Sequence, residues 1–536
     1  MKSLLSSLYV IICLNLVLQQ LVGMVALPLS TNSRWIVDEH GKRVKLACVN
    51  WPSHTETLLV EGLNKIALDQ ISARIIATGF NCVRLTWPTT LATNNSLAST
   101  IVEKHFKNLG LYDAIEGIRI HNPKFLSFNL IQAFRAIIAN LGANNVMVIL
   151  DNHISKPGWC CGGKFYDGFF GDQNFDPKDW HKGLIRMACM FKRTKNVVGM
   201  SLRNELRGPN QNVDEWRWHM EKAAAAVHGT NPHILIILSG LAFDNDLSFL
   251  KKHPVNITFE RKLLFEVHRF GCSIKHGWAE NNPNDECGSF ARTFMYNAGF
   301  LLERGFPLFL SEFGGDQSGT IINDSRFLNC VFGVIADLDL EWALWALQGS
   351  YYLRQGVQDM EEFWGVLDKS WNDIRNSSFM QRVNSIQFPY QGPGLFNGLA
   401  PHEIIYHPVT GYCLQRNSFG GHLRLGLCQL STAWNYNVLH KTITLDGTRL
   451  CLQAIGHGKP VRLGTDCSKW NRISRSRMHI STKLINGEIV CLDVQHTRIN
   501  SVLVTNLCTC LTGDPKCDPS KQWFNIVKSQ RQVLGL

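Results

Sequence analysis

Val198-Gly199-Met200-Ser201-Leu202-Arg203-Asn204-Glu205-Leu206-Arg207 is a short apolar run, carrying one serine, that stops abruptly at Asn-Glu. A strand buried on both faces and opening at its carboxyl end on a cleft has this form. Nothing apolar follows to hide the glutamate. About a hundred residues later the chain repeats the pattern in Pro307-Leu308-Phe309-Leu310-Ser311-Glu312-Phe313-Gly314. Two strands thus deliver one carboxylate each, and the segments between them must serve that arrangement.

Working outward, short apolar runs alternate with longer amphipathic segments from about residue 33 to 385. The runs predict strands at Val44–Asn50, Phe80–Leu85, Val146–Asp151, Val197–Asn204, Ile234–Ser239, Leu263–His268, Pro307–Glu312 and Leu340–Trp345. Helical patterns lie between them, for example Leu63–Thr78, Leu126–Leu141, Trp216–His228 and Ala291–Arg304. Strand alternating with helix implies a parallel sheet, and eight units imply closure into an α/β (β/α)8 TIM barrel. An open doubly wound sheet is disfavoured, because no Gly-rich phosphate loop follows the first strand, which runs into Trp51-Pro52.

Polar residues gather where a barrel places its chemistry, at the carboxyl ends of strands. The strand ends read Val83-Arg84-Leu85, Leu150-Asp151-Asn152-His153, Asn204-Glu205, Glu266-Val267-His268, Ser311-Glu312 and Ala343-Leu344-Trp345. One such residue has an ordinary explanation as a satisfied core group or ion-pair partner; six strands ending this way do not. The ordered set Arg84, Asp151-Asn152-His153, Arg203-Asn204-Glu205, His268 and Ser311-Glu312-Phe313-Gly314 resembles glycoside hydrolase family 5, the cellulase and mannanase family, over the whole first domain. The stretches from Leu150 to Cys161 and from Trp345 to Arg354 resemble its secreted plant branch.

The resemblance implies that Glu205 is the acid/base and Glu312 the nucleophile of a retaining endo-β-glycanase acting on β-1,4-linked glucan or mannan. Such an enzyme needs one carboxyl protonated to assist the leaving group and one ionised to attack the anomeric carbon. Arg84 is then the cation beside Glu312, and Asn204 holds the sugar 2-hydroxyl. His153 and His268 orient sugar and carboxylates, and Trp345 stacks on the sugar ring, with Trp342 as the fallback. One residue departs from the family: the strand-six histidine is usually followed two residues on by a tyrosine that hydrogen-bonds the nucleophile, and here that position is Phe270. The departure sustains a rival reading, a carbohydrate-binding protein with a catalytically weakened barrel. No metal or organic cofactor is expected. No Gly-x-Ser-x-Gly elbow is present, which sets aside a serine hydrolase.

Pro389-Tyr390-Gln391-Gly392-Pro393-Gly394 breaks the helical pattern and opens a linker over 389–400. Beyond it, helix gives way to short strands and turns. Cys413-Leu414-Gln415, Cys451-Leu452-Gln453 and Cys491-Leu492-Asp493 recur at intervals of 38 and 40 residues, each with a second cysteine 15 to 17 residues on and a tryptophan after that. Three such repeats resemble a ricin B-type β-trefoil lectin domain over 401–536, with one disulfide per lobe and a local Cys510–Cys517 bridge. That family's sugar-site aspartate is kept only as Asp493, and its Gln-x-Trp motif is absent, so Trp434, Trp470 and Trp523 read as core supports. Binding of wall glycans is therefore expected from the third lobe alone.

Lys2, the apolar run Leu8–Leu18 and a small-residue site at Met24-Val25-Ala26 read as a secretory signal peptide over 1–26, preceding the barrel domain at 27–388. The core is too short for a membrane span. Of 17 cysteines, 16 remain after Cys13 leaves with the leader, an even number suited to an oxidising route. In the barrel, Cys272–Cys287 is the single best pairing. Sequons at Asn94, Asn256, Asn323 and Asn376 fit that compartment. The net charge of +11 is spread without a basic block, so nucleic acid is not an expected partner. The expectation is a secreted, extracellular monomer whose partner is a β-linked polysaccharide.

Overall fold

All eight runs form strands: β1 (Ala47–Trp51), β2 (Cys82–Pro88), β3 (Met147–Ile154), β4 (Val197–Ser201), β5 (Leu235–Leu238), β6 (Leu263–Phe270), β7 (Leu308–Gly314) and β8 (Glu341–Leu344). Each pairs in parallel with the next, and β8 closes on β1. The structure, a computed structural model, describes residues 25–531 except 162–165, 274–276, 396–400 and 417–421. The expected signal peptide lies outside the described residues apart from Val25 and Ala26.

Side chains alternate along a strand, so every second residue points into the barrel. Cys48, Cys82, Met147, Ile149, Val198, Leu235, Ile237, Leu264, Phe309 and Ala343 form one buried apolar cluster there, tied by the Cys48–Cys82 disulfide between β1 and β2. Two residues further along those same faces stand Asn50, Arg84, Asp151, Glu266, Ser311 and Trp345, all buried. An apolar plug therefore carries a polar layer. The outward faces, among them Val83, Leu85, Leu150, Ile236, Phe265 and Leu310, pack against helix residues such as Ile71, Ile75, Phe134 and Ile137.

Strand β7 is not regular. Leu310 pairs with Val267, but Glu312 pairs with His268, leaving Ser311 as an extra residue. A bulge of this kind re-aims the following side chain. Here it turns Glu312 over the polar layer, and Asn50 Nδ2 holds the Ser311 carbonyl at 2.9 Å.

Helix bounds differ from expectation where capping decides them. The predicted helix Leu126–Leu141 is a 3-10 turn, Pro123–Ser127, followed by a helix at Leu130–Ala143 that starts at an Asn129/Gln132 capping box. The predicted Ala291–Arg304 helix is the tail of a longer rod that begins at Pro283 behind the Asn282 cap and passes through a π turn at Met295–Gly299. The Cys272–Cys287 pairing is corrected: Cys287, on the buried face of helix Pro283–Phe294, bonds Cys330 on helix Ile322–Leu338, and Cys272 is an exposed free thiol. The two helices pack together, whereas Cys272 follows β6 on the open side of the loop.

The chain after the barrel is all-β, built of antiparallel strands in an eight-stranded and a four-stranded sheet. Disulfides Cys413–Cys428, Cys451–Cys467, Cys491–Cys508 and Cys510–Cys517 form as the repeats predict. Trp434, Trp470 and Trp523 are buried. The start of the expected linker is anchored: Tyr390 is buried, and the Tyr390 and Gln391 N–H groups donate to Asp339 Oδ2 at 2.9 and 2.8 Å. The all-β region rests on the barrel helices, with Trp523 Nε1 donating to Asn284 Oδ1 (2.9 Å) and Asn525 Nδ2 to the Gly333 carbonyl (2.8 Å).

Gly314 ends β7, and a Cβ there would lie 2.3 Å from the Trp345 carbonyl oxygen. Gly314→Ala should destabilise the protein by about 1–3 kcal/mol, read as a lower urea midpoint at unchanged slope. An unchanged midpoint would show that β7 and β8 can part at this point without loss.

Candidate active site

Arg84 is fully buried at the centre of the polar layer. One terminal nitrogen donates to Glu312 Oε1 (2.7 Å) and Asn50 Oδ1 (3.0 Å). The other donates to Asn204 Oδ1 (3.0 Å) and lies 3.0 Å from Asp151 Oδ1 and 3.6 Å from Glu266 Oε2. Burial would strip its charge, but the carboxylates of Asp151, Glu266 and Glu312 outweigh that, and the guanidinium stays charged. A planar fork can serve partners from several strands at once, which an ammonium cannot.

Glu205 follows β4 with a left-handed backbone, φ 45°. A non-glycine residue there is held by its surroundings. The holder is Asp244, in the loop after β5, whose Oδ2 accepts the Glu205 N–H at 2.9 Å. Ala242, Phe243 and Asp244 themselves lie at φ 54°, 59° and 56°. Asp244 also stands 3.5 Å from His268 Nε2, and its carbonyl accepts the His268 N–H at 3.0 Å. His268 Nδ1 reaches both carboxylates, 3.0 Å from Glu205 Oε1 and 3.6 Å from Glu312 Oε2. Oxygens of Glu205 and Glu312 lie within 4.8 Å of one another.

The electrostatics follow from burial and neighbours. Burial pushes Glu312 up to about 7; His268 and Arg84 oppose the rise, while Glu205 and Asp151 add to it. Burial would lower His268, but Glu312, Asp244 and Glu205 raise it to about 9. Burial drives the Asp244 carboxyl well up, with His268 the main opposing influence. Burial, and then Arg84, holds His153 well below the usual histidine range. Its Nδ1–H donates to Asp151 Oδ2 (2.6 Å), which leaves Nε2 as an acceptor facing Asn204 Nδ2 at 3.5 Å.

Trp345 is 7% exposed and stacks on His153, ring centroids 5.7 Å apart. Trp159, half-buried in the loop after β3, meets it edge-on at 6.4 Å and lies under the Arg354 guanidinium at 3.6 Å. The fallback Trp342 is not in the cleft: it is fully buried, with Nε1 donating to the Ile386 carbonyl. Phe270 lies against Trp364, centroids 5.3 Å apart, and offers Glu312 no donor. Asp493 stands apart in the all-β region and turns inward, Oδ2 accepting from Gln522 Nε2 at 3.0 Å.

The structure therefore gathers Arg84, His153, Asn204, Glu205, His268, Glu312 and Trp345 into one site. Sequence reasoning missed Asp244, Glu266 as a partner of Arg84, and His54, whose ring lies tilted at 32° against His153, centroids 3.9 Å apart. It also missed the disulfide between adjacent Cys160 and Cys161. Among the described residues, two sets of donors come close enough to share an ion: Glu205–His268–Glu312 and Cys160–Cys161–Glu205. The first has an imidazole protonated up to about 9, and the second has its sulfurs bonded to each other. Neither offers the deprotonated ligands a metal takes.

The model of the cellulases of glycosyl hydrolase family 5 matches residues 37–350. A glycosyl hydrolase 5 family protein of Chamaecyparis obtusa is 41% identical over 531 residues, 95% of this chain and 94% of that protein, so its likeness includes the all-β region. The major extracellular endoglucanase of Xanthomonas campestris is 26% identical over 366 residues, 64% of this chain and 68% of that one. Among solved structures, the catalytic domain of the major endoglucanase from Xanthomonas campestris shares the fold at TM-score 0.55 and 22% identity, covering 67% of this chain and 99% of the other. An endocellulase from Pyrococcus horikoshii, in complex with cellotetraose, does so at TM-score 0.55 and 18% identity, covering 68% and 99%.

Asp244→Asn should lower the His268 titration from about 9, because it removes a carboxylate that favours the imidazolium. Histidine NMR reads this directly. An unmoved titration would show that Asp244 sits neutral beside the ring and acts only on the Glu205 backbone.

Proposed function

We propose that this chain, which belongs to glycosyl hydrolase family 5 and is an O-glycosyl hydrolase, cleaves β-1,4-linked glucan internally with retention of configuration. The observation that carries this reading is the approach of the Glu205 and Glu312 oxygens to within 4.8 Å. Retaining hydrolases hold their carboxyls about 5–5.5 Å apart, whereas inverting ones leave about 6.5–9.5 Å for a water. The relatives named as endoglucanases, and the cellotetraose bound to one endocellulase, favour glucan over mannan.

In this mechanism Glu205 gives its proton to the glycosidic oxygen as the Glu312 carboxylate attacks the anomeric carbon. The C–O bond to the leaving sugar breaks and a glycosyl ester forms on Glu312. Glu205, now a base, takes a proton from water, which attacks the same carbon and releases Glu312. Arg84 holds one nucleophile oxygen while the other points to the sugar. Asn204 donates to the 2-hydroxyl, and Trp345 supports the ring. With Phe270 unable to donate, Glu312 Oε2 has instead the charge of His268, whose Nδ1 bonds Glu205 Oε1 at 3.0 Å and stands 3.6 Å from Glu312 Oε2.

The leader supports export to an extracellular site, and the repeats and their disulfides support a three-lobed, lectin-like appendage. Asp493, bonded to Gln522, supports a structural more than a sugar-binding part for its lobe. The rival, a binding protein with an idle barrel, draws on Phe270 alone.

Glu312→Ala should lower turnover of cellotetraose on the order of 10³-fold or more, with binding retained; turnover at the wild-type rate would end the assignment, and an inactive wild type would favour the rival. The acid limb of kcat/KM reports groups in the free enzyme. On an aryl glycoside whose leaving group needs no proton, that limb should follow Glu312, near 7. His268→Gln removes a positive neighbour that holds Glu312 down, so the limb should move to higher pH. A limb that stays in place would belong to another group.

A further inference from the structure

Asn204 is oriented from one side only by strong partners. Its Oδ1 accepts from Arg84 at 3.0 Å, which fixes the amide plane. Its Nδ2 faces His153 Nε2 at 3.5 Å and the sulfurs of both Cys160 and Cys161 at 3.8 Å. These two sulfurs form one disulfide between adjacent residues, and both lie within 4.8 Å of a Glu205 carboxylate oxygen. Cys160 is buried and Cys161 half-buried, so the bridge walls the cleft beside the two residues that flank the reacting carbon.

The chemistry of this wall is particular. A disulfide sulfur donates nothing and accepts weakly. A water, hydroxyl or carboxylate in its place would accept the Asn204 N–H strongly, and an arriving sugar would have to displace it. The disulfide excludes such a competitor and leaves the amide N–H groups only long, weak partners, the two sulfurs at 3.8 Å and His153 Nε2 at 3.5 Å. We propose that the Cys160–Cys161 disulfide is a positioning element that keeps the Asn204 amide dry and aimed at the 2-hydroxyl of the sugar undergoing cleavage, and so sets selectivity for that hydroxyl. This rests on the proposed glucanase reading, in which Asn204 holds that hydroxyl.

The test uses the full chain and two probes, 4-nitrophenyl β-cellobioside and the same compound lacking the 2-hydroxyl on the sugar that bears the aryl group. The quantity read is the ratio of kcat/KM between them. Cys160→Ala/Cys161→Ala should reduce that ratio about tenfold, mostly by loss on the hydroxylated probe. Cys160→Ser/Cys161→Ser, which places strong acceptors beside the amide, should reduce it further. If a variant fails to fold, wild-type protein reduced with a phosphine gives the same comparison, with alkylation and peptide mass confirming thiols at Cys160 and Cys161. Equal losses on both probes, or an unchanged ratio, would overturn the proposal. A wild type that does not discriminate between the probes would overturn the role of Asn204, and the proposal with it. Loss of the glucanase reading itself is seen separately, as turnover of both probes unaffected by Glu312→Ala.

Discussion

The burial of the Arg84 guanidinium is the constraint on which the site depends. Taking a cation out of water costs several kcal/mol unless the surroundings answer it. The barrel answers with Asp151, Glu266 and Glu312 and with the amide oxygens of Asn50 and Asn204. Those residues come from β1, β3, β6, β7 and the end of β4, so one side chain on β2 locks the upper layer of most of the barrel. The apolar plug beneath is what makes this possible, because it excludes water from below and leaves Arg84 and His268 as the main cations acting on Glu312.

That layering was legible in the sequence. Parallel strands buried on both faces read as apolar runs, and a polar residue at the end of such a run has few places to go except the cleft. Leu264, Glu266 and His268 show the rule on one strand: the same face passes from plug to polar layer to catalytic level in steps of two. The bulge at Ser311 was not legible, although it decides where Glu312 points, because it depends on pairing with β6. Asp244 escaped for a similar reason. It lies in a loop, Leu241-Ala242-Phe243-Asp244-Asn245-Asp246, whose sequence looks like an ordinary polar turn. Only the folded barrel brings its carboxylate under the Glu205 N–H. The Cys160–Cys161 bridge was hidden by the habit of seeking distant partners for neighbouring cysteines, and Cys287 went astray because two helix faces, not a loop, set its partner.

The all-β region shows the other side of legibility. Its cysteine period specified three disulfides correctly, and the short spacing of Cys510 and Cys517 a fourth, since each such bridge is a local matter. How the region meets the barrel was not written in any period. Apolar packing of Ile404, Tyr406, Met478, Trp523 and Val527 into the barrel's helix-side core is accompanied by directional polar contacts, between Asn284 and Trp523, from Asn282 to the Cys510 carbonyl (3.1 Å) and from Arg326 to the Pro515 carbonyl (2.9 Å). Buried polar pairs of this kind fix orientation more than they add free energy. The expected linker adds to the constraint through Tyr390 and Asp339, so the appendage is braced at both ends of its chain.

A phenylalanine at position 270, where a tyrosine was expected, changes the kind of support Glu312 receives. A phenol would offer a neutral hydrogen bond to Glu312. In its absence the donors facing that carboxylate are both cations, Arg84 and His268. A neutral donor stabilises the carboxylate without altering the charge of the site, whereas an imidazolium brings a charge that can be lost. The buried Glu312, pushed up to about 7, and His268, pushed up to about 9, therefore bracket a window in which Glu312 is ionised and His268 still charged. Asp244 extends the upper edge of that window, since its carboxylate favours the imidazolium while its other task is to hold the strained Glu205 backbone. One loop residue thereby couples the placement of Glu205 to the charge state of the group beside Glu312. The departure at Phe270 is accordingly less a missing part than a transfer of its work to a titratable pair.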